Sequence, residues 1–202
     1  MNTIFIDADR LGAERKFTMF YGGTEVFSAK QVDKIKKIGD SLTPLEAKTF
    51  GDNDSSARKG DVVWLPRSCN DYQWIYDNLF QLAKIANDEL WKFDLIGFWE
   101  DCQYTTYNAE EKGGHGDHYD YHLDIDGSYG VQRKISIIVQ LSDENEYEGG
   151  ELELRTSSNP FIADRGIGSV LLFPSFILHK VHPVTKGRRN SLVLWVSGLP
   201  FK

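Results

Sequence analysis

The chain has 202 residues, of which 41% are hydrophobic and 26% are charged, and its formal net charge is −7. This composition excludes a disordered tail and a membrane protein. The acidic balance argues against non-specific binding to nucleic acid, although a local basic groove stays open as an alternative. Two cysteines, Cys69 and Cys102, and an N-terminus without a signal-peptide pattern predict a cytoplasmic location in a reducing compartment.

The first predicted elements are a strand or hairpin and a short helix. Aromatic and β-branched residues surround a Gly-Gly pair in segment 16–27, which favours a strand or hairpin. Ser28 then has the position of an N-cap, with Gln31 three residues later, and apolar residues follow at helical spacing. The pattern therefore predicts a helix over residues 29–41.

A polar loop and a longer helix come next. Residues 49–61 are rich in Gly, Ser and Asp and predict a mobile loop, followed by a short strand at VVWL. From about residue 71 to 91, apolar residues recur at steps of three and four, which predicts an amphipathic helix. The apolar stripe of this helix is expected to pack in the core rather than to bind a cofactor.

After residue 91 the pattern changes to short β-branched or aromatic runs separated by turn residues. Many short strands at this spacing predict an antiparallel sandwich or barrel such as a jelly roll. The expected fold class is therefore mainly β with N-terminal helices (α+β). We expect one domain over 1–202, with helical support in about 1–90 and the β core in about 91–202.

All five histidines lie beyond residue 114, and the densest segment is HYDYHLDID at 118–126. Because alternate residues of a strand share a face, its His and Asp residues are predicted to point one way and its Tyr, Leu and Ile residues the other. A face of His and Asp is costly to bury without a cation, and imidazole with carboxylate suits a divalent transition metal. A single His-x-Asp is nevertheless more often a solvated polar edge than a metal site.

A more distant histidine strengthens the metal hypothesis. His179 lies inside the apolar run LLFPSFILHKVHPV, where a histidine is more often a buried core residue than a ligand. However, a His-x-Asp followed about 55 residues later by a histidine on another strand matches the 2-His-1-carboxylate triad of non-haem Fe(II) oxygenases. That triad leaves coordination positions open for a 2-oxo acid and O₂.

An arginine ten residues beyond His179 offers an anchor for the distal carboxylate of a 2-oxo acid. In the segment GRRNSLVLW, Arg189, Ser191 and Trp195 alternate onto one face of a predicted strand, and Arg188 lies on the other. A guanidinium can hold a carboxylate by two hydrogen bonds, and the Ser191 hydroxyl can add a third. An Arg-Arg pair is otherwise typical of a solvated strand end.

Four segments carry a family resemblance, and they are QYTTY at 103–107, YDYHLD at 119–124, VQLSDENEYEGGELEL at 139–154 and FPSFILHKVHPVTKGRRNSLVLWVSG at 173–198. Together they resemble the Fe(II)/2-oxoglutarate-dependent dioxygenases of the prolyl 4-hydroxylase type, in particular the PKHD-type hydroxylases. The resemblance covers roughly residues 90–200. It implies a double-stranded β-helix (jelly roll) core flanked by helices.

The resemblance also implies which histidines bind the metal. The expected Fe(II) ligands are His122, Asp124 and His179. His122 is preferred over a second His-x-Asp because the family has a tyrosine three residues before its ligand, here Tyr119. The other histidines are expected to be neighbours of the site or plain loop residues, and they are His115, His118 and His182.

For the co-substrate, the resemblance implies that Arg189 binds the distal carboxylate of 2-oxoglutarate. Tyr107 matches a tyrosine that hydrogen-bonds the co-substrate, Ser191 and Ser136 have positions where a hydroxyl could assist, and Trp195 would wall the pocket. The expected cofactor is Fe(II), with 2-oxoglutarate and O₂ as co-substrates and ascorbate as a candidate reductant.

The predicted activity is hydroxylation of an unactivated C–H bond. The resemblance points to a prolyl residue in a protein or peptide, as for procollagen-proline 4-dioxygenases, with segment 49–61 as a candidate lid. One alternative is a hydroxylase or demethylase of a free amino acid, another side chain or a nucleic acid, the last disfavoured by the net charge of −7. Another is a non-enzymatic, cupin-like metal-binding barrel, which would not need Arg189 and Ser191.

Overall fold

The computed structural model describes residues 4–6, 18–47, 57–110, 116–125 and 130–201. Helix α1 spans Ala29–Ser41, and helix α2 spans Gln73–Ala86 between a 3₁₀ turn at Asn70–Tyr72 and a π-helical turn at Asn87–Trp91. Both helices lie where the apolar spacing predicts them. In the described ranges, no helix has the length and apolar character that crossing a membrane requires.

Local chemistry explains where α1 begins. The Ser28 hydroxyl accepts a hydrogen bond from the Gln31 backbone N–H, and the Gln31 side chain accepts one from the Ser28 N–H at 2.9 Å. This reciprocal pairing satisfies two backbone donors that the first turn of a helix leaves free. The predicted capping box is therefore confirmed.

Fifteen strands lie in the described part of the chain. In chain order they are β1 (Ile4–Ile6), β2 (Tyr21–Gly23), β3 (Leu45–Glu46), β4 (Arg58–Lys59), β5 (Asp61–Leu65), β6 (Leu95–Phe98), β7 (Cys102–Asn108), β8 (His118–His122), β9 (Gln132–Gln140), β10 (Tyr147–Gly149), β11 (Leu152–Leu154), β12 (Phe161–Ile162), β13 (Val170–Pro174), β14 (His179–Val181) and β15 (Val184–Gly198).

These strands form two antiparallel sheets. The larger sheet has the order β1-β2-β13-β9-β15-β7-β5-β3, and β10 and β6 also pair with the long strand β15. The smaller sheet has the order β12-β11-β14-β8-β4. Two antiparallel sheets with few helices agree with the mainly β fold that the sequence predicts, and the arrangement is consistent with a jelly roll.

The larger sheet separates two apolar clusters. One lies against α1 and α2 and takes Leu192, Leu194 and Val196 from β15. The other lies between the two sheets and includes Leu154 of β11 and Phe173 of β13. Because successive residues of a strand face opposite sides, the central strands contribute to both clusters.

The predicted loop at 49–61 is partly wrong. Residues 49–56 lie outside the described residues, but Arg58–Lys59 form β4 and Asp61 begins β5. Strand β4 pairs with β8, which carries the candidate ligand His122. A partner strand distant in sequence has therefore imposed extended structure on a polar segment whose composition predicts a loop.

Candidate active site

Three potential metal ligands converge where β8 ends and β14 begins. His122 and His179 are directly paired residues of these antiparallel strands, and Asp124 follows β8. The candidate ligand atoms of the three side chains lie within 4.8 Å of one another. Asp124 Oδ1 lies 3.6 Å from His122 Nε2, and Asp124 Oδ2 lies 3.5 Å from His179 Nε2. A His-His-Asp donor set at this spacing suits a divalent transition metal.

Backbone carbonyls orient both imidazoles. The Nδ1–H of His122 donates to the Asp120 carbonyl at 2.8 Å, and that of His179 donates to the Ile177 carbonyl at 2.9 Å. Because a carbonyl can only accept, this pairing leaves Nε2 of each neutral ring with a free lone pair. In both rings Nε2 is the nitrogen that faces Asp124, so each imidazole is oriented to bind a metal.

The surroundings favour the ionisation states that metal binding requires. Burial, followed by the neighbouring His179, lowers the pKa of His122 to about 4. Burial alone would raise the pKa of Asp124, but the two imidazoles and a hydrogen bond from Ser136 bring it below its usual value. A neutral imidazole and an ionised carboxylate are the forms that bind metal ions.

Tyr119 also faces this group, which contradicts the predicted alternation along β8. Its ring stacks on His122 with the centroids 3.4 Å apart. His179 pairs with His122, but Val181 pairs with Tyr119, so β8 has one residue more than β14 in this stretch. This β-bulge turns Tyr119 and His122, three residues apart, to the same side.

The strand also ends before Asp124, and Asp120 is exposed. The prediction that the His and Asp residues of 118–126 share one strand face is therefore wrong, and Asp126 lies outside the described residues. The convergence of His122 and Asp124 comes from the end of the strand rather than from its alternation.

A cavity of about 280 Å³ opens beside the three potential ligands. Its wall is formed by both sheets, with Tyr107 from β7 and Arg189, Ser191 and Trp195 from β15. The alternation predicted for β15 is confirmed, because Arg188 lies on the opposite face and donates to Asp40 at 2.7 Å. The fold thus joins the two groups of candidate residues in one cavity.

Arg189 is a buried cation in the wall of this cavity. It is 3% exposed, and within the described residues it has no carboxylate partner and its Nη1 has no hydrogen-bond partner. The Tyr107 ring lies 5.8 Å from the guanidinium carbon. A buried charge without a counter-charge is unfavourable, so this arrangement suits an anion that enters the cavity.

Tyr107 and Ser191 line the same cavity. Both side chains are buried, and Tyr107 is paired directly with Arg189 across β7 and β15. Burial raises the pKa of the Tyr107 hydroxyl, which keeps it protonated as a hydrogen-bond donor. The hydroxyls of Tyr107 and Ser191 therefore offer neutral hydrogen-bond donors beside the Arg189 guanidinium.

Of the other described histidines, neither His118 nor His182 lines the cavity. His182 Nε2 lies 2.8 Å from Glu153 Oε2, and the Nδ1–H of His118 donates to the Gly116 carbonyl at 3.0 Å. His115 lies outside the described residues. Among the four described histidines, the choice of His122 and His179 therefore agrees with the residues that line the cavity.

Sequence patterns do not predict one ion pair at the cavity wall. Arg133 Nε donates to Glu100 at 2.6 Å, and its guanidinium carbon lies 3.8 Å from the centre of the Trp195 ring. Glu100 and Arg133 are 33 residues apart, and neither occurs in a motif. Only the pairing of distant strands brings them to the site.

Comparison with known proteins agrees with a site that binds Fe(II) and 2-oxoglutarate. A sequence model of the 2OG-Fe(II) oxygenase superfamily matches residues 102–197. A PKHD-type hydroxylase of Idiomarina loihiensis is 39% identical over 176 residues, which cover 87% of this chain and 77% of that protein. A PKHD-type hydroxylase of Pseudoalteromonas atlantica is 38% identical over 90 residues, which cover 42% of this chain and 40% of that protein.

Solved structures share the fold. A prolyl-4-hydroxylase of Pseudomonas putida superposes with a TM-score of 0.70 at 18% identity, covering 90% of this chain and 93% of that chain. A prolyl hydroxylase of Trichoplax adhaerens, in complex with a hypoxia inducible factor oxygen degradation domain peptide fragment, superposes with a TM-score of 0.63 at 20% identity, covering 83% and 74%. At these identities the similarity establishes the fold alone.

Proposed function

This chain belongs to the 2OG-Fe(II) oxygenase superfamily, among the PKHD-type hydroxylases, and on that premise we propose that it hydroxylates a prolyl residue in a protein or peptide. One observation carries the oxygenase part of the proposal. The His-His-Asp group and the buried Arg189 line the same cavity of about 280 Å³. The prolyl part is supported by the solved prolyl hydroxylases of the same fold.

In this proposal His122, Asp124 and His179 hold Fe(II). The donor set fits the metal because both Nε2 atoms have free lone pairs and the carboxylate is ionised. When bound, Fe(II) with 2-oxoglutarate and O₂ supplies the oxidising chemistry that hydroxylates an unactivated C–H bond. The protein contributes the fixed orientation of the three side chains.

Arg189 binds the distal carboxylate of 2-oxoglutarate in the same proposal. A guanidinium can hold a carboxylate by two parallel hydrogen bonds, and a buried setting strengthens them relative to water. The hydroxyls of Ser191 and Tyr107 add neutral donors. Together these residues orient the co-substrate and exclude water from its distal end.

Ascorbate as a reductant of the iron stays a prediction.

The rim of the cavity bears on the choice of substrate. Trp64 is 37% exposed, and its ring lies 6.4 Å from that of Trp195. Aromatic surfaces of this kind favour contact with an apolar ring such as that of proline. Glu100 neutralises Arg133 at the same rim. A nucleic acid would need a continuous basic groove, which this mixed pair disfavours.

The proposal is tested by incubating the full chain with Fe(II), 2-oxoglutarate and proline-containing peptides. Mass spectrometry should detect the gain of one oxygen atom in a peptide, with matching formation of succinate. The variant His179→Ala should lose both products, and full activity in that variant would overturn the ligand assignment. Succinate without an oxidised peptide would reject the prolyl substrate, and metal binding without 2-oxoglutarate turnover would favour the cupin-like alternative.

A further inference from the structure

Asp124 differs from the other two proposed metal ligands because it lies outside a strand. His122 ends β8, and His179 begins β14 opposite it, so both histidines are held by the strand pairing. The pairing ends before Asp124. Other contacts must therefore determine where its carboxylate points.

Three groups from other parts of the fold hold Asp124. Its backbone N–H donates to the Ser175 carbonyl at 3.0 Å, and its own carbonyl accepts from Arg133 Nη1 at 3.3 Å. The Ser136 hydroxyl donates to Asp124 Oδ2 at 2.6 Å. The first two contacts hold the backbone, and the third holds the carboxylate itself.

Ser136 is a rigid support for this hydrogen bond. It is fully buried in β9, between its partners Trp195 in β15 and Phe173 in β13. Because β9 is paired on both sides here, the position of Ser136 is fixed by two ladders.

The direction of the hydrogen bonds follows from the chemistry of the groups. An ionised carboxylate only accepts, so the single proton of the Ser136 hydroxyl goes to Asp124. The Ser175 hydroxyl, 3.0 Å from that of Ser136, must then donate to it. The two buried serines form a chain of donors that ends on Asp124 Oδ2.

Resting on the metal site proposed above, we propose that Ser136 is a positioning residue that holds the Asp124 carboxylate toward His122 and His179. A hydrogen bond to a carboxylate at this distance is short and strong. Rotating the carboxylate away from the two histidines would break it. The hydrogen bond would therefore fix the carboxylate in the orientation that metal binding requires.

The test uses Co(II) as a spectroscopic substitute in the full-length chain, with no turnover required. Absorption titrations give the affinity for Co(II), and the visible spectrum reports the coordination number. Ser136→Ala should weaken Co(II) binding by about 10- to 100-fold, the usual range for residues that orient a ligand, and should change the spectrum. Ser136→Cys keeps a donor at this position, though a weaker one, so it should also weaken Co(II) binding.

Ser169→Ala is the matched control. It removes another buried hydroxyl, one that donates to Asp164 at 2.8 Å and does not line the metal cavity. This variant should keep the wild-type affinity and spectrum. Wild-type Co(II) binding in both Ser136 variants would overturn the inference while leaving the metal site intact. Failure of the wild-type chain to bind Co(II) would instead overturn the metal site, and the inference with it.

Discussion

The two faces of strand β15 differ in what they bury. Toward the helices, Leu192, Leu194 and Val196 are fully buried and wholly apolar. Toward the cavity, Arg189 and Ser191 are almost as completely buried but polar. Burial by itself therefore does not distinguish a face that stabilises the fold from a face that binds a ligand. A buried cation without a counter-charge does distinguish them, because it leaves an electrostatic cost for a ligand to relieve.

Strand β9 repeats this division. Ile135, Ile137 and Val139 face the helices, and Ser136 faces the opposite side, where it holds Asp124. Substitutions on the helix-facing side should therefore change the free energy of unfolding, and substitutions on the cavity side should change metal or co-substrate binding.

The largest effect is expected on the cavity side from Asp124→Ala. This change removes the only anionic member of the proposed ligand set, so metal binding and 2-oxoglutarate turnover should both be lost. Isothermal titration with Mn(II) and a succinate assay measure the two losses. A wild-type affinity for Mn(II) would show that the metal binds elsewhere.

Leu194→Ala is the corresponding change on the helix-facing side. The side chain is fully buried, so its truncation should lower the free energy of unfolding by about 2–5 kcal/mol. Urea unfolding measures this loss, and Mn(II) titration of the folded variant should give the wild-type affinity. A large drop in metal affinity would mean that the two faces are coupled.

Arg189→Met should weaken 2-oxoglutarate binding without lowering the free energy of unfolding. Losing hydrogen bonds to a charged group costs about 1.5–3 kcal/mol, which corresponds to roughly 10- to 150-fold weaker 2-oxoglutarate binding. The free energy of unfolding should stay the same or rise, because a buried charge with no carboxylate partner in the described part of the chain is replaced by an apolar side chain.

The control for this variant lies on the other face of the strand. Arg188 is paired with Asp40 there, so Arg188→Met should leave the affinity for 2-oxoglutarate unchanged. Equal losses in the two arginine variants would contradict the assignment of Arg189 as the anchor.

The smallest effect is expected from Ser28→Ala, at the start of α1. Loss of the capping hydrogen bonds should lower the free energy of unfolding by about 1 kcal/mol. Urea unfolding measures the change, and the KM for 2-oxoglutarate should not move. A changed KM would indicate that α1 influences the cavity through the larger sheet.

The sequence predictions were correct for features that depend on residues close together in the chain. The capping box at Ser28 and the alternation along β15 were predicted correctly, since each depends on neighbours in the chain or on an undisturbed strand. The face of Tyr119 was predicted wrongly because of one inserted residue, and the strand at Arg58–Lys59 was missed because its partner is distant in sequence.

By itself the sequence determined the two helices, the β-rich second half and the motifs that single out His122, Asp124, His179 and Arg189. Only the tertiary structure decided that Tyr119 stacks on a proposed ligand, that Ser136 holds another, and that Arg189 is buried with no carboxylate partner among the described residues. The physical reason is that these contacts depend on the register between strands far apart in the chain. Local residue patterns carry no information on that register.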